Sequence, residues 1–229
     1  MAQGIRDYFE IKDRCRGKLA AHTRKAFRMI PSMRRPSMLD LGCGTGVSSI
    51  ELALLGGGAL TAVDADEASI GRLREKLREH GLEDRITPVQ AAVPSSDIPP
   101  GPYDIVVAEG LLNIIGFKKG MVEIERYVKH EGFAIIHDEV PGKEEKLALF
   151  KKHGFHLLFS FVLDEKVWWD DYYVCLEKAI EEFDAARAGG RETPDPFVAE
   201  RSEIDDYRRD PGRFRSVFYI IQKQSWPKK

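Results

Sequence analysis

Met38-Leu39-Asp40-Leu41-Gly42-Cys43-Gly44-Thr45-Gly46-Val47 is the stretch around which the chain is organised. Its apolar residues read as a short buried strand running into a glycine-rich turn. Behind the turn, Ser48 to Leu55 reads as a helix with Ile50, Leu54 and Leu55 inward. Strand, glycine turn and helix together make a ligand cradle. Glycine lacks a Cβ, so the backbone turns tightly and a ligand can approach it closely. The N–H groups that begin the helix point at that ligand. The spacing is G-x-G-x-G. A dinucleotide site uses G-x-G-x-x-G, whose third glycine packs helix on strand; here that position is Val47. Asp40 places a carboxylate beside the turn, where it would repel a pyrophosphate and attract an ammonium group.

Strand and helix patterns alternate from there. Gly56-Gly57-Gly58 stops the first core helix, and Ala59 to Val63 reads as a second buried strand with Asp64 at its end. That acid lies about twenty residues beyond the turn, where an adenosine-ribose acid sits in dinucleotide folds. Asp66 can cap the next helix, which carries Ile70, Leu73 and Leu77 on one face and ends at Gly81. Arg85 to Gln90 reads as a third strand, and the loop Ala91 to Pro102 holds four prolines. Tyr103 to Ala108 is a fourth strand, followed by Glu109-Gly110-Leu111-Leu112-Asn113 at its carboxyl end, the edge where ligands sit in open parallel sheets. Phe117 to Lys129 reads as an amphipathic helix with Met121, Ile124 and Val128 inward. Gly132 to His137 is a fifth strand, with Asp138 and Glu139 leaving it on the edge that holds Glu109. A helix from Glu144 to His153, closed by Gly154, leads to a strand from Phe155 to Leu163.

Leu39-Asp40-Leu41-Gly42-Cys43-Gly44-Thr45-Gly46 resembles motif I of the class I S-adenosylmethionine-dependent methyltransferases, and the resemblance runs from about Pro36 to Gly154. It implies an α/β fold: a Rossmann-like, seven-stranded, mostly parallel sheet with helices on both faces. It also implies S-adenosylmethionine as cofactor. Asp40, Gly42, Cys43, Gly44, Thr45 and Gly46 would then hold the methionine end, Asp64 and Ala65 the ribose, Ala92 and Val93 the adenine. The family often has an acid at the position of Ala92 that meets the adenine amino group. Gln90-Ala91-Ala92-Val93 departs from that, leaving backbone groups, Gln90 or apolar packing to hold the base. The backbone of Glu109 is expected beside the methionine moiety, with its side chain toward the acceptor. Candidate catalytic groups by location are Glu109, His137 and Asp138.

Outside the repeating pattern lie two segments. Residues 1–35 read as an N-terminal helical cover, with one or two helices over Ile5 to Ile30. Residues 164–212 form a helical insert before the last strand, so the sheet core comprises 36–163 and 213–223. The insert's helices are expected at Val167 to Arg187 and from about Pro196 to Arg209, separated by Gly189-Gly190 and Pro194. Tyr173, Leu176, Ile180 and Phe183 read as a core stripe. Adjacent residues diverge by about 100° on a helix, so Trp168 and Trp169 cannot both point one way. Tyr8, Asn113, Trp168, Trp169 and Tyr172 are the candidate acceptor-binding residues, and cover and insert together are expected to form a lid that excludes water. The alternative for the insert is packing on the far side of the sheet or a homodimer contact.

The 229 residues, 43% hydrophobic, suffice for one sizeable core. With 35 Lys+Arg against 37 Asp+Glu, the charge of −2 supplies no general field for nucleic acid or an anionic membrane. Cys15, Cys43 and Cys175 are widely spaced, suggesting a reducing, cytoplasmic setting and no structural zinc. No apolar run reaches bilayer length. Glu109, His137, Asp138 and Glu139 are metal-ligand types, but no local spacing fixes a metal site. The expected acceptor is a small molecule, with RNA or protein as the alternative. The N-P-P-Y-like tetrad of nucleic-acid and glutamine amino-methylating enzymes is missing after the fourth strand. Two rival classes are an NAD-dependent oxidoreductase, which requires the third glycine, and a non-catalytic S-adenosylmethionine-binding module.

Overall fold

A computed structural model describes residues 3–187 and 195–225. Its contacts divide the chain into a sheet unit, His22–Val162 with the chain from Ser216 onward, and a helical unit, the chain up to Ala21 with Leu163–Arg215. The segment read as one N-terminal cover thus divides: α1 (Gln3–Arg16) belongs to the helical unit and most of α2 (Ala20–Arg28) to the sheet unit. Gly189, Gly190 and Pro194, and the side chain of Ile5, lie outside the described part.

The sheet unit carries β1 (Met38–Leu41), α3 (Val47–Gly56), β2 (Leu60–Asp64), α4 (Glu67–His80), β3 (Ile86–Gln90), β4 (Tyr103–Glu109), α5 (Leu112–Ile115), α6 (Phe117–Tyr127), β5 (Val128–Glu139), α7 (Lys143–Lys152), β6 (Phe155–Leu163) and β7 (Ser216–Lys223). The strands run β3-β2-β1-β4-β5-β7-β6. β3 to β5 pair in parallel, and β7 is antiparallel to β5. The order reverses beside β1, between β2 and β4, which opens a crevice at their carboxyl ends.

Register sorts the side chains onto two faces, because partners across a ladder share a face and neighbours along a strand alternate. Leu39, Val106, Ala134 and Ile221 lie in one row and pack with Leu112, Met121, Ile124 and Phe150 from α5, α6 and α7. Asp40, Val107, Ile135 and Ile220 form the matching row on the opposite face.

α3 is rotated from its expected phase. Ser49, Leu52 and Ala53 are buried, while Leu54 is 56% exposed. The reason is polar: the Ser49 hydroxyl turns inward to donate to Asp40 Oδ2 at 2.5 Å. Val128 begins β5 instead of ending α6, and the last strand begins at Ser216, after a 3₁₀ turn over Pro211–Phe214. α4 is capped as expected, with Asp66 Oδ2 accepting from Ser69 N–H at 2.9 Å.

In the helical unit, α8 (Glu165–Trp168), a π-helical turn (Trp169–Tyr173) and α9 (Val174–Arg187) replace the single helix expected, and α10 (Val198–Arg209) follows. Tyr172, Tyr173, Leu176, Ile180, Phe197 and Ile204 form its core. Trp168 meets the rings of Tyr172 and Tyr173, while Trp169 stacks on Tyr207 with centroids 5.3 Å apart. The two tryptophans thus flank one cluster. Tyr8 donates to Glu200 Oε1 at 2.7 Å within the same unit. The thiols expected to stay reduced are not all separate: Cys15 and Cys175, 160 positions apart, are disulfide-bonded with Cα atoms 5.4 Å apart, joining α1 to α9. Their sequence spacing carries no sign of this. Among the described residues no helix is long and apolar enough to cross a membrane.

Candidate active site

The glycine turn joins β1 to α3 with each glycine in a different role. The N–H groups of Gly42 and Cys43 both donate to Val63 O, at 2.8 and 2.9 Å, which docks the turn on the end of β2. At Gly46 a Cβ would meet Leu73 Cδ1 at 2.4 Å, so this glycine serves helix packing, the task of the third glycine in dinucleotide turns. At Gly44, with φ +53°, a Cβ would meet nothing within 4 Å. Its bare backbone therefore faces open space, as a ligand-side glycine must. Lys76, buried in α4, donates to Thr45 O at 2.9 Å and braces the turn from below.

Three carboxylates surround the turn. Asp64 at the end of β2 accepts from Gly44 N–H at 2.7 Å and Asp66 N–H at 2.9 Å. Asp40, 2% exposed, has its pKa raised to about 6, chiefly by burial; the Ser49 hydrogen bond opposes this rise and the charge of Asp64 adds to it. Glu109 Oε2 accepts from two hydroxyls, Thr23 and Ser48, each at 3.1 Å. Cys43 is half-buried, and burial pushes its thiol far up, so it is no thiolate nucleophile.

A cavity of about 260 Å³ runs along this edge. Gly42, Asp64 and Ala65 line its middle, Ala92 and Val93 one side, Leu111 and Ile115 the other. The order follows the strands: β3 loop, β2, β1, β4.

His137 pairs in register with Glu109 and so shares its face. Its Nε2 lies 2.8 Å from Ser216 Oγ, and its ring stacks on Phe218 at 4.0 Å. Asp138 alternates to the other face, where it is 5% exposed and pairs with Lys146 Nζ at 2.5 Å. The structure therefore brings Glu109 and His137 together and turns Asp138 away. Asn113 is exposed on α5. Tyr8, Trp168, Trp169 and Tyr172 all belong to the helical unit's aromatic cluster. Among the described residues, no three His, Cys, Asp or Glu side chains gather as a metal set.

The Asp138–Lys146 pair carries a stability prediction. Lys146→Met should leave a buried carboxylate uncompensated and destabilise the protein by about 3–5 kcal/mol in denaturant titration. A change under about 1 kcal/mol would show that the pair is well solvated.

Thr23, Ser48, Ser49, Lys76 and Ser216 escaped the reading of the sequence. Lys76 left a signal, a lysine at a core phase of α4 beside Leu73 and Leu77. Thr23 left none, because its partner lies 86 positions away.

Residues 38–132 match the family described as Methyltransferase domain. The release factor glutamine methyltransferase of Chlorobaculum tepidum is 31% identical over 147 residues, which are 62% of this chain and 45% of that protein. The chain thus spans less than half the length of this curated relative. A methyltransferase from Geobacter sulfurreducens, solved with S-adenosyl-L-homocysteine, superposes with a TM-score of 0.68 at 18% identity, covering 90% of each chain. The [4+2]-cyclase SpnF superposes at 0.73 with 19% identity, covering 90% of this chain and 82% of that one. Both confirm the fold. Motif, strand order and matched domain agree in what they liken the chain to: over residues 38–132 it is similar to the methyltransferase domain, on the fold that the S-adenosylmethionine-dependent methyltransferase from Geobacter sulfurreducens shares.

Proposed function

We propose that this protein transfers the methyl group of S-adenosylmethionine to a small-molecule acceptor. The observation that carries the reading is the cavity along the β3-β2-β1-β4 edge, with a ribose-type acid in its wall, beside a turn whose Gly44 backbone is left open. The residues present fit the cofactor. Asp64 would accept from the ribose hydroxyls, and the Gly44 turn would meet the methionine backbone atoms. Asp40 and Glu109 would supply negative potential for the α-ammonium group. When bound, the cofactor supplies a methyl on a sulfonium, whose neutral thioether is a good leaving group. The protein's task is then alignment, which alone can remove several kcal/mol of barrier. Where the acceptor carries a proton, His137 and Glu109 are the groups proposed to take it, with the Ser216 hydroxyl 2.8 Å from His137 Nε2 to hold the ring.

The small-molecule reading is supported by the near-neutral charge. Glu109-Gly110-Leu111-Leu112 stands where the N-P-P-Y tetrad of glutamine-methylating enzymes would be. A second reading, binding without methyl transfer, draws on the [4+2]-cyclase that shares this fold. Incubation with methyl-labelled S-adenosylmethionine and separated metabolite, RNA and protein fractions tests both. Label in the metabolite fraction is expected. Label only in RNA or protein would move the acceptor class, and tight cofactor binding with no transfer to any fraction would favour the second reading.

Gly44→Val gives a further check. A branched side chain at positive φ is strained and would fill ligand space, so the variant should remain folded by circular dichroism yet bind S-adenosylhomocysteine at least about 30-fold more weakly. Unchanged binding would make the turn merely structural.

A further inference from the structure

The two edges of the sheet are of opposite kinds. An edge strand presents a row of ladder groups to any further strand, and sheets blunt it with a short strand, a proline or a charge. β3, at one end of the strand order, has five residues and carries Pro88, which has no N–H to give. β6, at the other end, has nine residues and holds no lysine, arginine, acid, proline or glycine. Three of the eight exposed large hydrophobics among the described residues sit on this one strand: Leu157 at 38%, Phe159 at 49% and Val162 at 46% exposure. Phe161 differs from them, because it stacks on Phe218 at 5.0 Å and lies 4.1 Å from Lys25 Nζ. The flanks of β6 carry opposite charge. Lys151 and Lys152 precede the strand, and Asp164 and Glu165 follow it. Both lysines and Asp164 are exposed, and Glu165 is half-buried.

We infer that β6 is a self-pairing edge whose partner is the β6 of a second copy of this chain, running antiparallel across a two-fold axis. The charge order selects this arrangement. Across the two-fold, the start of each strand lies beside the end of the other, so a basic flank meets an acidic flank at both ends. A parallel pairing would set like charges together. The ladder satisfies backbone groups of both copies over about 30 Å and removes Leu157, Phe159 and Val162 from water. Assembly stops at two copies, because the contact is isologous and the edge left at each outer end is the one that Pro88 blunts. An interface of one strand pair is small, so the dimer belongs at the weak end of specific association.

Sedimentation equilibrium on the full chain at about 1 to 100 µM tests this, with hydrogen exchange read on the β6 amides. The expected result is a monomer–dimer equilibrium with a Kd of the order of 10 µM, and β6 amide protection that rises with concentration. Phe159→Lys sets like charges together near the middle of the pair and should raise the Kd at least about 30-fold, with circular dichroism unchanged. Lys151→Glu with Lys152→Glu leaves the strand itself untouched, and so keeps the test open should Phe159→Lys fail to fold. It should raise the Kd about tenfold, and mixed with Glu165→Lys chains it should form a heterodimer tighter than either homodimer. A monomer throughout that range would overturn the proposal: exchange-labile β6 amides would leave the edge to a strand of another protein, and protected ones would assign it to a segment of this same chain. A dimer that Phe159→Lys leaves intact would place the contact elsewhere. One that the reversed flank does not weaken would refute the antiparallel pairing.

Discussion

Asp64→Ala is expected to lower affinity for S-adenosylhomocysteine by about 100- to 1,000-fold. The carboxylate has two tasks. It accepts from Gly44 N–H at 2.7 Å and Asp66 N–H at 2.9 Å, so it shapes the turn. In the proposed complex it also accepts from ribose hydroxyls. Hydrogen bonds to a charged group contribute about 1.5–3 kcal/mol each, and loss of two corresponds to two to four decades of affinity. The lower half of that range is expected because water re-enters the half-buried site. Asp64→Asn, which keeps one oxygen and the shape, should lose about tenfold. Calorimetry decides: equal affinity in wild type and Asp64→Ala would remove Asp64 from the ribose site.

Asp40→Asn should do two opposite things, stabilise the ligand-free fold and weaken the cofactor. Burial raises the pKa of Asp40 from 3.8 to about 6. Below pH 4 the folded and unfolded chains both hold the proton. As pH rises from about 4 to 6 the unfolded chain releases it first, so stability falls across that window and is flat above it. The shift corresponds to a cost of the order of 3 kcal/mol at pH 7. An asparagine carries no such charge. The variant should therefore gain about 1–3 kcal/mol at pH 7.5, gain little at pH 4, and lose the fall between them. Ligand binding runs the other way. A cationic α-amino group favours the ionised acid, so wild-type affinity should rise from pH 5 to 7 with proton release. The variant should lose that slope and about tenfold in affinity. Guanidinium titrations at both pH values check the first half, and calorimetry in buffers of different ionisation enthalpy the second. A variant less stable at pH 7.5 would show that Asp40 is held by favourable interactions strong enough to offset its burial.

Such trade-offs are legible only in part from the residues themselves. The alternation from Met38 to Leu163 determined which segments are strands and where α4 is capped, because backbone conformation and half-burial are written locally, but it started β5 four residues late, at Gly132 instead of Val128. Gly44 and Gly46 marked the turn, Asp66 capped α4 through Ser69, and the run Phe155–Leu163 is a strand from end to end. Asp40 and Asp64 were placed by their distance from the turn.

What the tertiary structure alone decided is which residues meet across long separations. Ser49 faces inward because a buried carboxylate needs a donor, an effect no hydrophobic pattern contains. Asp138 and His137 are neighbours in sequence yet lie on opposite faces, and the register of β5 against β4 and β7 chooses which one stands beside Glu109. Thr23 reaches Glu109 across 86 positions and Cys15 reaches Cys175 across 160. Phe155–Leu163 reads as one more apolar strand until the sheet order leaves it at an edge. Local periodicity encodes which face of an element is buried; the partner it is buried against depends on the order and register in which seven strands assemble.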